Sequence, residues 1–77
     1  MQIFLAKYRF NDGAIKGFTA IKAVLEAGWM IELDMKDGTK QFIETARGDT
    51  KTYLKMDSLI NDVERITGRV SSLILNI

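Results

Sequence analysis

The 77-residue chain contains no cysteine, no histidine and no proline. Without cysteine it offers no disulfide, no thiol nucleophile, no zinc knuckle and no cysteine-held iron–sulfur cluster. Without histidine it lacks the commonest general base and the commonest transition-metal ligand. No apolar run reaches the roughly 20 residues of a membrane span, and Met1-Gln2-Ile3-Phe4 does not open a signal peptide. A marked excess of either charge is also missing. Eleven basic and ten acidic residues leave a net charge of +1, unlike a strongly basic nucleic-acid binder. A cytoplasmic location fits the missing cysteines. No cofactor and no metal is expected.

What is present reads as one small α+β domain over residues 1–77. Gln2–Phe10 alternates as a strand, with Ile3 and Leu5 to one side and Phe4, Ala6, Tyr8 and Phe10 to the other. Asn11-Asp12-Gly13 marks a turn. A helix is expected over Thr19–Ala27, with Phe18, Ile21, Val24 and Leu25 as its apolar stripe and Gly28 as its stop. Trp29–Met35 alternates as a half-buried strand. Asp37-Gly38 then turns a hairpin into a strand over Thr39–Thr45. A two-residue turn sets Leu33 opposite Phe42 and sends Ile43 to the outer face.

Asp57–Thr67 carries Leu59, Ile60, Val63 and Ile66 at helical spacing. Val70–Ile77 reads as a closing strand. The order βαββαβ is the split βαβ, or ferredoxin-like, plan, with two helices on one face of a four-stranded antiparallel sheet. An alternative keeps these elements and adds a short fifth strand near residues 51–54.

Three clusters carry candidate chemistry. Glu32 and Asp34 share a strand face near Asp37, and paired carboxylates can do acid–base work or hold magnesium. Their plain reading is the solvated outside of a hairpin. Arg47, Lys51 and Lys55 flank the Gly48 turn with Tyr53 among them, combining cations for phosphate with a ring for stacking. Lys7 and Arg9 would extend that patch from the first strand. Asp49 and Asp57 dilute it, and the plain reading is a solvated loop with Tyr53 on the core edge. Finally, a sheet face left without helices would expose Phe4, Tyr8, Phe10, Ile43 and Ile74 and favour a homodimer. Trp29 reads as a core residue.

The stretch FIETARGDTKTYLKMDSLINDVERITGRVSSLIL resembles the C-terminal half of small plasmid- and mobile-element-borne proteins labelled partition-associated, or ParC-like. The matching residues are Thr45, Arg47, Gly48, Lys51, Tyr53, Asp57, Ile66 and Gly68. Met56 stands where that pattern has leucine, and Lys55 replaces a small capping residue. The resemblance implies a bacterial, mobile-element setting and carries no catalytic residue. The expectation is therefore a non-enzymatic accessory module with weak nucleic-acid binding, or binding to a nucleic-acid-associated protein, through Arg47, Lys51, Tyr53 and Lys55. The alternatives are a homo-oligomeric protein-interaction module and, more remotely, a carboxylate-dependent enzyme.

Overall fold

A computed structural model of the chain describes residues 1–68 and 73–76. Its elements are α1 (Ile3–Asn11), β1 (Ile15–Lys22), β2 (Trp29–Met35), β3 (Lys40–Phe42), α2 (Met56–Thr67) and β4 (Leu73–Asn76). The class is α+β, but the order is αβββαβ. The sheet runs β3-β2-β1-β4. β1 is antiparallel to β2, β2 is antiparallel to β3, and β4 lies parallel to β1. The split βαβ order is thus corrected at its first two elements, and the expected antiparallel sheet is corrected at β4, which is parallel to β1.

The N-terminal segment is a helix because its inward residues also satisfy the helical period. Ala6 is buried, Ile3 and Phe10 pack on the core, and these positions recur at i, i+3 and i+7. Leu5, Ala6, Lys7 and Arg9 are good helix formers. The helix stops at Asp12, and Gly13 follows with φ +85°. The Asp12 carboxylate accepts the Ala14 N–H at 3.1 Å.

The expected helix over Thr19–Ala27 is instead the end of β1 and a loop. Ile15, Phe18, Thr19 and Ile21 are β-branched or aromatic and suit a strand. Phe18 and Ala20 are fully buried on the core side. Val24 and Leu25, half of the supposed apolar stripe, stand 88% and 97% exposed at the β1–β2 connection. Gly28 does adopt a positive φ, +111°, but it closes a hairpin rather than a helix. The Ala23 N–H donates to its carbonyl at 2.9 Å. A Cβ at Gly28 would lie 2.6 Å from the Tyr53 carbonyl oxygen, so this crossing of two backbones requires glycine.

The β2–β3 hairpin is one residue out of the expected register. Its turn holds three residues, Lys36–Gly38, with Gly38 at φ +91° and its N–H donating to the Met35 carbonyl at 3.0 Å. Asp37 accepts both the N–H (2.9 Å) and the hydroxyl (2.6 Å) of Thr39. Leu33 therefore faces Gln41, and Phe42 faces Glu32. The shift turns Ile43 inward, where it is fully buried.

After Ile43 the chain leaves β2, makes a tight excursion through residues 44–50, and returns. The Lys51 N–H donates to the Ile43 carbonyl at 2.9 Å, and Tyr53 exchanges both backbone hydrogen bonds with Trp29 at 2.8 Å each. Residues 51–53 thus resume the line of β3 along β2, and Tyr53 forms a single bridge, not a fifth strand.

One core lies between the sheet and both helices. Ile31, Leu33 and Phe18 come from the sheet, Ala6 from α1, and Leu59, Val63 and Ile66 from α2. Each large buried side chain contributes about 1.5–3 kcal/mol by leaving water. Trp29 packs on the edge of this core, as its sequence context indicates.

Candidate functional site

The helix α2 is held by its apolar stripe, by Asp57 in the first turn and Arg65 in the last, and by Gly68 at φ +81°. One polar residue sits on that stripe. Asp62 shares the buried face with Leu59, Val63 and Ile66. Its side chain is 7% exposed and takes donors from three directions. Lys51 Nζ lies 2.8 Å from Oδ2, the Tyr53 hydroxyl donates to the same oxygen at 2.5 Å, and Arg65 reaches Oδ1 at 3.2 Å. Lys51 Nζ also stands 5.0 Å from the centroid of the Tyr53 ring.

Burial opposes the charge on Asp62, but the Lys51 ammonium and the Tyr53 hydroxyl outweigh it, and the carboxyl is held below its usual range. Burial, then the bond to Asp62, pushes the Tyr53 phenol well above its usual value. Tyr53 therefore stays a neutral donor. Among the described residues, no buried side-chain nitrogen or oxygen is left without a partner.

Above this cluster lies an open groove of about 700 Å³ between residues 51–55 and α2. Lys51, Lys55, Ser58, Asn61 and Arg65 line it, with Leu54 at its edge. Two cations share the Asp62 charge, which leaves the trio at +1, and Lys55 adds a further positive charge. Ser58 and Asn61 supply neutral hydrogen-bonding groups. The arrangement suits an anionic group.

The structure thus brings together three of the four expected binding residues, Lys51, Tyr53 and Lys55, and leaves out Arg47. Arg47 lies in the exposed 45–48 turn, where its N–H donates to Thr45 Oγ1 at 3.3 Å. The expected role of Tyr53 as a stacking ring is corrected. Its side chain is buried because the backbone pairing with Trp29 aims it into the core. Arg65 and Asp62 were not singled out from the sequence. A carboxylate on an apolar helical stripe was the available signal.

The carboxylates of the hairpin do not gather into a closed cleft. Lys40 Nζ bridges Asp34 at 2.8 Å and Glu32 at 3.3 Å, and Thr19 Oγ1 donates to Asp34 at 3.1 Å. The bond from Lys40 chiefly holds the Asp34 carboxyl low, the opposite of what a general acid needs. Asp37 is occupied by Thr39, whose hydroxyl and N–H also lower its pKa. No group of three metal-ligating side chains occurs among the described residues.

The five residues expected at a dimer face do not share one. Phe4 and Tyr8 are exposed on α1. Phe10 packs on Phe18 with ring centroids 5.8 Å apart, and Ile43 is buried. Ile74 stands opposite Thr19 in β4, and its side chain lies outside the described residues. The helix-free sheet face carries Thr19, Glu32, Asp34 and Lys40 together with half-buried Ile21, Met30 and Phe42. No helix among the described residues is long and apolar enough to cross a membrane. Comparison of the chain with known protein families, with curated proteins and with solved structures finds no match.

Proposed function

We propose that the chain is a non-enzymatic binding module that takes the phosphate backbone of a nucleic acid in the groove between residues 51–55 and α2. The observation that carries this reading is the groove's rim: Lys51, Lys55 and Arg65 around Ser58 and Asn61, over a fully satisfied carboxylate. A rim of cations and small donors positions phosphates without reading sequence. The resemblance of the C-terminal half to plasmid- and mobile-element-borne proteins supports a bacterial, mobile-element setting for that role.

Fluorescence anisotropy with single- and double-stranded oligonucleotides across a salt series tests it. Affinity should fall with salt, with a slope of about −0.7 per phosphate contact on single strands and about −0.9 on duplex. The double change Lys55→Gln, Arg65→Gln should flatten the duplex slope by about 2. Lys51 is left in place because it makes the shorter bond to Asp62, 2.8 Å against 3.2 Å for the more exposed Arg65. A second reading, a homo-oligomeric interaction module, is favoured by the exposure of Val24, Leu25 and Leu54. It gains if the unmutated protein binds neither oligonucleotide and light scattering gives more than the mass of one chain.

A further inference from the structure

Phe4 and Tyr8 stand one helical turn apart on the outer side of α1, 74% and 70% exposed. The helix holds them there firmly, because Ile3, Ala6 and Phe10 anchor its other side on the core. Large aromatic rings are seldom left this open. Lys7 is exposed between them in sequence. Phe4, Thr45, Ala46 and Lys51 line a second groove, of about 300 Å³, between α1 and the 44–50 excursion. Glu44 also lines it, with its carboxylate 2.9 Å from the Met1 ammonium. Lys51 lines this groove and the anion-binding groove alike. The two grooves therefore share one ammonium group, with the Phe4 ring in one and Lys55 and Arg65 in the other.

From this juxtaposition we propose that the ligand is single-stranded nucleic acid, with bases stacked on Phe4 and Tyr8 and the backbone following Lys51 towards Lys55 and Arg65. This rests on the phosphate-groove reading and supplies the stacking element that buried Tyr53 does not. The two rings are about 6 Å apart along the helix axis, which leaves room for one unstacked base against each. Bases in a duplex are already stacked on their neighbours and cannot reach the rings, so the surface selects single strands. Charge complementarity favours this occupant over an apolar partner, because the groove that Phe4 lines shares Lys51 with the cation-rimmed groove.

The test uses a labelled oligothymidine of about twelve nucleotides and a duplex of matched length, with the full chain. The double change Phe4→Leu, Tyr8→Leu keeps apolar area and removes the ring faces. Both side chains are mostly outside the core, and circular dichroism checks that the fold persists. Single-strand affinity should fall at least about tenfold, since stacking on one ring is worth about 5- to 150-fold. Duplex affinity should not change, and Phe4→Trp, Tyr8→Trp should retain the preference for single strands. Equal binding of both oligonucleotides, unaffected by the leucine changes, would overturn the stacking proposal and leave the phosphate groove standing. Binding of neither would remove both. A dimer that becomes a monomer on Phe4→Ala, Tyr8→Ala but not on the leucine changes would make this helix face a self-interface and overturn the proposal.

Discussion

Two lysine–carboxylate clusters in this small protein use the same chemistry in different surroundings. On the open sheet face, Lys40 bridges Glu32 and Asp34, and its side chain is 60% exposed. Beneath the groove, Lys51 and Arg65 hold Asp62, whose side chain is 7% exposed and also accepts the Tyr53 hydroxyl. Water reaches Lys40 freely in the first cluster, and Glu32 and Asp34 keep 14% and 16% of their side chains exposed. In the second, water reaches Arg65 and part of Lys51 but not the buried Tyr53 hydroxyl, so loss of Asp62 leaves that group unpaired. Asp62 also ties together segments far apart in the fold, because Tyr53 is fixed to β2 through Trp29 and Asp62 belongs to α2. The sheet-face cluster joins only neighbouring strands that the backbone already pairs.

The sharpest way to break this contrast is to truncate each carboxylate. Asp62→Ala should cost about 3 kcal/mol, because Tyr53 and Lys51 lose their shared acceptor. For a domain of this size that lowers the thermal midpoint by on the order of 10–20 °C. Asp34→Ala should cost less than about 1 kcal/mol. Acid titration sharpens the same point. The folded pKa of Asp62 is depressed by Lys51 and Tyr53, so its contribution is full above the unfolded value of about 4 and is lost as pH falls through the lower folded value. Asp62→Asn should flatten that acid limb. A midpoint for Asp62→Ala within a few degrees of the Asp34→Ala midpoint would remove the distinction.

A smaller effect is expected from Tyr53→Phe, which keeps the ring in the core and removes only the hydroxyl. Asp62 retains Lys51 and Arg65, so the cost should be about 1 kcal/mol. The ring's approach to Lys51 survives, since it does not depend on the hydroxyl. Chemical denaturation should show a lower midpoint with an unchanged slope. An unchanged midpoint would mean that the two cations alone satisfy Asp62.

The same contrast explains what was legible in the sequence. The helix α2 was readable because Leu59, Val63 and Ile66 recur at one period and Gly68 stops them, all local facts. The β2 strand was readable from its alternation. The N-terminal helix was not, because Phe4, Ala6, Tyr8 and Phe10 fit period two while Ile3, Ala6 and Phe10 fit the helix. Only packing of Ala6 against the rest of the core decides between them. Thr19–Ala27 failed in the other direction, since apolar residues at helical spacing do not reveal that Val24 and Leu25 stay in water. At the site, Lys51 and Lys55 stood out as cations beside a turn. Asp62 did not, because its importance comes from a tyrosine and a lysine that reach it only after the 44–50 excursion brings residues 51–53 back to β2.

The least disruptive change tests the other side of the contrast. Lys40→Met removes the ammonium that links Glu32 and Asp34 while keeping the length of its apolar stem. The two carboxylates then repel one another on the same face of β2, with the Thr19 hydroxyl still donating to Asp34. Water and salt reach this face, so the repulsion should be weak and strongly screened. The thermal midpoint should drop slightly at low ionic strength and match the unmutated protein at high salt. The Asp34 carboxyl should titrate higher than before, since the bond from Lys40 is the main cause of its low pKa. Carboxyl chemical shifts followed by NMR through an acid titration would report that rise directly. A destabilisation that survives high salt would show Lys40 holding β3 onto β2 through contacts other than charge, and the sheet-face cluster would then resemble the one around Asp62.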